Sequence, residues 1–421
     1  MNNLTVNYQE NEKKIDHFVF NNGINLIVIE NSATNVIAGR IFLKNGGGRW
    51  EKRSQAGIFH LLAAVITKGT ENLSSVEIAE RVESMGASLG TDAATDYFLV
   101  SLKTVAADFE EMLPLAAEIL RSPTFPPAEV ELEKHLTLQN LLSQKEQPFN
   151  VAFNQLREMM YGEHPYGVSI VGTEQSVSNL TPFDLKQYHS TYFRPDNLVI
   201  SLAGKVTKEA AIKMVEKVFG DWQPPQTPIP QIILDPASTQ PHQVRIKQDT
   251  QQSIIMLGYL AAGVKSEDYP ILKLLSTYLG NGLSSRLFVE LREKRGLAYD
   301  VSSFYPTRLD KSQFVVYMGT APQNTEVAIE GLQREVERLW ERTLSSEELQ
   351  AAKNKLLGQY ALGKQTNAEF AQIYGWYESL GLGIEFDRQF QKEILQITPE
   401  MAQKVAANYF QAVYLSLVGP Q

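Results

Sequence analysis

Residues 180–193 read LTPFDLKQYHSTYF, and residues 397–410 read ITPEMAQKVAANYF. Each opens on a Thr-Pro pair ahead of a helical stretch. Thr181 and Thr398 suit the helix N-cap, and Pro182 and Pro399 suit the first helical position, where no N–H is needed. Each stretch runs into a short apolar strand, Leu198–Ala203 and Tyr414–Val418, closed by glycine. Upstream, FPPAE at residues 125–129 parallels LSSEE at residues 344–348 at nearly the same spacing. The chain therefore reads as an internal duplication. A duplication implies that the halves share a fold and says nothing about shared chemistry.

Within the first half, residues 24–30, 37–43 and 96–102 are rich in bulky residues and read as strands. Residues 56–67, 75–85, 105–121 and 128–160 carry helical spacing. The second half repeats this, with strands at 253–260, 298–305 and 313–320 and long helices from 322 to 381. Strands and helices come in clusters and not in strict alternation. That predicts an α+β fold, each half a mainly antiparallel sheet with helices packed on it. Residues 222–241, WQPPQTPIPQIILDPASTQP, hold six of the 19 prolines. Proline fixes φ and removes backbone donors, so this segment is expected as an extended linker. The expected division is 1–221, linker 222–241, and 242–421.

The composition narrows the function. The chain has 421 residues, 43% hydrophobic and 21% charged, which is an ordinary globular balance. There is no cysteine, so cysteine-based zinc binding, a thiol nucleophile and a redox dithiol are excluded. The formal charge of −9 lacks the basic footprint of a nucleic-acid binder. No signal sequence and no membrane-length apolar run is seen, so the expected location is cytoplasmic, with no membrane partner. No two of the six histidines lie four apart. The glycine run Asn45–Gly48 lacks the lysine and hydroxyl of a phosphate loop. Asp92 and Asp96 read as solvated surface charge.

One stretch carries chemistry by what it lacks. Residues 57–70, GIFHLLAAVITKGT, resemble the N-terminal region of the insulinase/pitrilysin family of zinc peptidases, which includes the mitochondrial processing peptidases. The family signature is Gly-x-x-His-x-x-Glu-His followed by Lys-Gly-Thr, the two histidines binding zinc and the glutamate activating water. By that resemblance the first histidine is His60, the glutamate position is Ala63 and the second histidine position is Ala64. The third ligand, a glutamate on a later helix, falls on Asn140 within EKHLTLQNLLSQKEQP, residues 133–148. Three of four functional positions are thus replaced, and this chain is expected to hold no metal and no other cofactor. His60 is expected as a packed, hydrogen-bonded helix residue.

A second stretch, residues 279–305, reads LGNGLSSRLFVELREKRGLAYDVSSFY. Gly280 and Gly282 suit a turn, Ser284 a helix cap, and Gly296 a left-handed helix stop. Arg292 then lies on the last turn and Tyr299 just past it. On residue types alone, Arg292 places a charge at the helix end and Tyr299 fills the core. The family resemblance implies another role. There, an arginine and a tyrosine seven residues apart reach the substrate and stabilise the oxyanion, a contribution of roughly 3–4 kcal/mol for such donors. The resemblance extends to Gly167–Thr173 and to Tyr192–Asn197, and it implies an edge strand at Ser88, Leu89, Gly90 and Thr91 that holds substrate backbone by added pairing.

Short members of this family work as dimers, some with one zinc-bearing subunit and one subunit carrying the Arg/Tyr pair. The resemblance therefore implies a non-zinc subunit of a heterodimeric metallopeptidase, inactive alone. It would supply Arg292 and Tyr299 to peptides held at zinc in a homologous partner, and a homodimer is a possible state of the chain alone. The alternative it implies is a catalytically inactive peptide-binding or scaffold protein of the same fold.

Overall fold

A computed structural model describes residues 14–237 and 240–420. Eleven strands form two sheets: β1 (Ile15–Val19), β2 (Asn25–Glu30), β3 (Val36–Leu43), β4 (Ser88–Ala93), β5 (Phe98–Val105), β6 (Leu198–Gly204), β7 (Gln243–Lys247), β8 (Ser253–Ala261), β9 (Asp300–Phe304), β10 (Ser312–Thr320) and β11 (Tyr414–Gly419). The first sheet runs β1-β2-β6-β3-β5-β4, and the second runs β7-β11-β8-β10-β9. Apart from β1, the order is the same. In each sheet one pair is parallel, β2 with β6 and β7 with β11, and the remaining pairs are antiparallel. The fold is the α+β duplication that the repeats imply.

The repeated segments are helices Pro182–Tyr192 and Pro399–Tyr409. Thr181 accepts a hydrogen bond from the Asp184 N–H, and Thr398 accepts one from Met401. The expected long helix at 128–160 is two helices, Pro127–Glu146 and Pro148–Tyr161. Pro148 cannot continue the ladder and begins a new helix instead. The stretch from 322 to 381 likewise divides, into Thr325–Glu341, Ser346–Leu362 and Asn367–Ser379, the last two opened by capping boxes at Ser345 and Thr366.

The central strands are apolar on both faces, and the two faces serve different cores. In β2, Leu26 and Val28 join the helices of their own half, while Ile27 and Ile29 face the other way. There they meet Ala371, Tyr374 and Tyr377 of helix Asn367–Ser379, which comes from the second half of the sequence. The second sheet repeats the arrangement in reverse. Leu415 and Leu417 of β11 face local helices. Tyr414 and Val418 meet Leu156, Met159 and Met160 of helix Pro148–Tyr161, from the first half. Each half thus lends one helix to the sheet of the other.

These crossings are close. A Cβ on Gly375 would lie 2.5 Å from Phe42 and 2.8 Å from Ser201, and one on Gly258 would lie 2.7 Å from the Met160 sulfur. The connecting segment is tied down by Arg194 of the Tyr192–Asn197 stretch. Its guanidinium pairs with Asp196 and donates to the carbonyls of Thr227 at 2.6 Å and Pro225 at 3.0 Å. Asn197 accepts from the Asn45 N–H and donates to Tyr192, fixing the turn after β3.

Overpacking a tight interior contact costs about 1–3 kcal/mol. Gly375→Leu is therefore expected to lower the urea midpoint by about that free energy. Gly358→Ala, in a helix where an added Cβ meets nothing within 4 Å, is expected to be neutral or slightly stabilising.

Candidate functional site

Helix Ile58–Val65 carries the first three motif positions. Its N-terminus is held by Glu51, whose carboxylate accepts from the Gly57 N–H at 2.8 Å and the Phe59 N–H at 2.9 Å. Glu51 is buried, and burial pushes its carboxyl up to about 7 against the pull of those two donors. Ile58, Phe59, Leu61 and Leu62 are buried in the core, so the helix is fixed from beneath whatever its outer face carries.

That outer face holds little chemistry. His60 is half-buried, and burial lowers its basicity, offset by the nearby carboxylates of Asp92 and Glu133. The expected hydrogen bond to His60 is not formed: among the described residues its imidazole has no hydrogen-bond partner. Glu133 is instead paired with Lys68 at 3.0 Å. Ala63 is buried and Ala64 half-buried. The Ala63 carbonyl accepts from the Thr91 hydroxyl at 2.6 Å, which stitches the helix to β4. Asn140 is exposed on helix Pro127–Glu146, its amide oxygen accepting from Gln144 at 3.3 Å. One imidazole, two methyl groups and an amide do not fit zinc, which takes imidazole, thiolate or carboxylate donors. Among the described residues, no group of three or more histidine, aspartate or glutamate side chains is placed to hold a metal ion.

Ser88, Leu89, Gly90 and Thr91 lie in β4, which pairs only with β5 and forms one edge of the first sheet. Helix Ile58–Val65 packs against both β4 and helix Pro127–Glu146. The structure therefore gathers Thr91 at the motif helix and places the helix bearing Asn140 alongside.

Arg292 and Tyr299 sit on the second half. Arg292 lies in a π-helix, Phe288–Glu293, in which the Lys294 N–H reaches back five residues to Val289. The expected Ser284 cap is not made, and the Ser285 hydroxyl is buried without a partner. The helix ends as expected at Gly296, with φ +62. Gly296 N–H bonds to the Arg292 carbonyl and Leu297 N–H to Leu291, a closed C-terminal turn. Arg292 stacks on the Phe288 ring at 4.9 Å, and the Tyr299 N–H pairs with the Gly319 carbonyl. Both side chains are exposed, Tyr299 at 63%. That removes the reading of Tyr299 as a core residue. Among the described residues no hydrogen bond or ion pair links this pair to the motif helix.

Asp96 is a correction. It is not solvated surface charge: it is 4% exposed, and its Oδ1 accepts from the Tyr166 hydroxyl at 2.5 Å. Nearby, Arg49 pairs with Asp310. These residues lie far apart in the sequence, and no local pattern announces their meeting. Glu51 carries no such local signal either: it lies seven residues ahead of the helix it caps.

Two family models match the chain. Insulinase (peptidase family M16) matches residues 26–174, and the peptidase M16 inactive domain matches residues 179–356. Uncharacterized zinc proteases of Bacillus subtilis and Mycobacterium leprae are each 27% identical to it, the first over 85% of this chain and 87% of that protein, the second over 89% and 85%. A Helicobacter pylori protease structure superposes with a TM-score of 0.90 at 22% identity, covering 96% of this chain and 99% of that one. A Pseudomonas fluorescens structure described as a peptidase M16 inactive domain gives a TM-score of 0.90 at 24% identity, covering 97% and 98%. The fold is that of the M16 peptidases, and the chain belongs to this insulinase family. Among the described residues, no helix is long and apolar enough to cross a membrane.

Glu51 yields a pH dependence. Its folded-state carboxyl titrates near 7 and an unfolded one near 4.3. The folded state therefore holds the proton longer, and stability falls as pH rises between those values. The loss is bounded by roughly 4 kcal/mol. Glu51→Gln is expected to flatten that segment of a stability–pH curve measured by urea unfolding at pH 5 and 7.5.

Proposed function

We propose that this chain is the non-zinc subunit of a two-subunit metallopeptidase. It would form one wall of a peptide-sized chamber and present Arg292 and Tyr299 to a peptide held at the zinc of a homologous partner. One contrast carries the reading: the zinc-ligand positions have lost their donors, whereas Arg292 and Tyr299 stand exposed on a turn that the backbone has already closed. A guanidinium and a phenol O–H fixed in this way can donate to the peptide carbonyl oxygen as negative charge gathers on it, with little rearrangement at the moment of reaction. The unpaired outer edge of β4 is the proposed binding strip for peptide backbone, through Ser88, Leu89, Gly90 and Thr91. The proposed halves are residues 1–221 and 242–421, joined by 222–241.

The test is reconstitution. Alone, the chain is expected to cleave no quenched peptide, and its Tm is expected not to respond to a chelator. Mixed with a zinc-motif homologue from the same cell, it is expected to support cleavage. Arg292→Ala and Tyr299→Phe are expected to cut kcat of the mixture by about 10²–10³-fold, the loss typical for one oxyanion donor, while the complex still elutes intact. Full activity in both variants would refute the assigned role. A complex that binds peptide and never cleaves it would instead mark a scaffold.

A further inference from the structure

A second site lies where the two halves meet, apart from the positions discussed so far. Residues 94–97 of the first half, Thr307 and Arg308 of the second, and Trp376 and Leu380 at the end of the crossing helix line a cavity of about 220 Å³. Two opposite charges share its wall. Asp96 uses Oδ1 to accept from Tyr166, and among the described residues its Oδ2 accepts no hydrogen bond. The Arg308 guanidinium lies over the Tyr166 ring at 5.7 Å and donates at 3.2 Å to the Thr307 carbonyl. Among the described residues it makes no ion pair.

Opposite charges in a poorly hydrated interior ordinarily close to contact. Here the two make no ion pair among the described residues: Tyr166 donates its hydroxyl to Asp96 and carries Arg308 over its ring face. Nearby, Arg49 is paired with Asp310 at 2.5 Å, while Arg157 and Lys273, which also act on Arg308 through their charge, make no ion pair among the described residues. The cavity, at about 220 Å³, is larger than one water occupies, at about 30 Å³ of liquid volume per water. Tyr97 and Trp376 add apolar wall.

We propose that this cavity binds a small zwitterion, a free α-amino acid. Its carboxylate meets the Arg308 guanidinium in the two-pronged geometry that arginine favours. Its ammonium meets Oδ2 of Asp96, and its side chain lies against Tyr97 and Trp376. Because the walls come from both halves, the bound amino acid pins one half to the other and stabilises the folded chain by linkage. The proposal does not depend on the peptidase reading.

The experiment uses the full chain, with glycine, alanine, leucine and phenylalanine as probes in thermal unfolding and titration calorimetry. The N-acetyl and C-amide derivatives, each missing one charge, are the controls. A free amino acid is expected to raise Tm saturably, and neither derivative is expected to do so. Arg308→Gln is expected to weaken binding about ten- to hundred-fold, the worth of a charged hydrogen bond. Asp96→Asn keeps an acceptor for Tyr166 and is expected to lose binding as well. If Asp96→Asn fails to fold, the Arg308→Gln result decides. No response to any of the four amino acids, an equal response to the derivatives, or unchanged binding in Arg308→Gln would overturn the proposal.

Discussion

The exchange of helices between the halves is the constraint on which the rest of the molecule depends. A sheet whose strands are apolar on both faces cannot stand in water with one face bare. Each half here covers one face with its own helices and leaves the other to a helix lent by its neighbour. Ile27, Phe42 and Val199 are buried only because Ala371, Tyr374 and Tyr377 lie on them, and Met256 and Tyr414 only because Leu156 and Met160 do. Neither half is a closed unit. The linker is thus not a free tether, and Arg194 grips its backbone at two carbonyls.

This arrangement explains how the motif helix keeps its shape without its chemistry. Helix Ile58–Val65 is fixed by the Glu51 carboxylate at its start, by core packing beneath and by the Thr91 hydroxyl near its end. None of those contacts needs a metal or a ligand side chain. Ala63 is buried and Ala64 half-buried, and none of these supports runs through either methyl group, since Ala63 is held by its carbonyl. On the other half, Arg292 and Tyr299 draw their placement from backbone bonds through Gly296, Leu297 and Gly319.

Much of the fold was legible in the sequence because it is encoded locally. Thr-Pro at a helix start, glycine at a helix stop and short runs of bulky residues in strands all act over a few residues, and the duplication wrote them twice. The motif positions were legible from the family resemblance of residues 57–70 and not from local spacing. What escaped was set by distant parts of the chain. Asp96 looks like any turn acid until Tyr166 and Arg308 close over it. The burial of both sheet faces was written in runs such as LVISLAG at residues 198–204, but the covering helix lies more than 150 residues away. The split at Pro148 is a local signal that the apolar pattern on either side concealed.

The π-helix at Phe288–Glu293 has its own consequence. Its hydrogen bonds reach one residue further than those of an α-helix, so the segment fits one more residue between its ends. Wound as an α-helix, the same segment would turn every later side chain by about 100° around the axis. Phe288 and Arg292, four residues apart, would stay neighbours on either winding, but the chain would arrive at Gly296 facing another way. The direction in which the chain leaves toward Tyr299 is therefore set by an irregular winding, and a regular helix here would aim that tyrosine elsewhere.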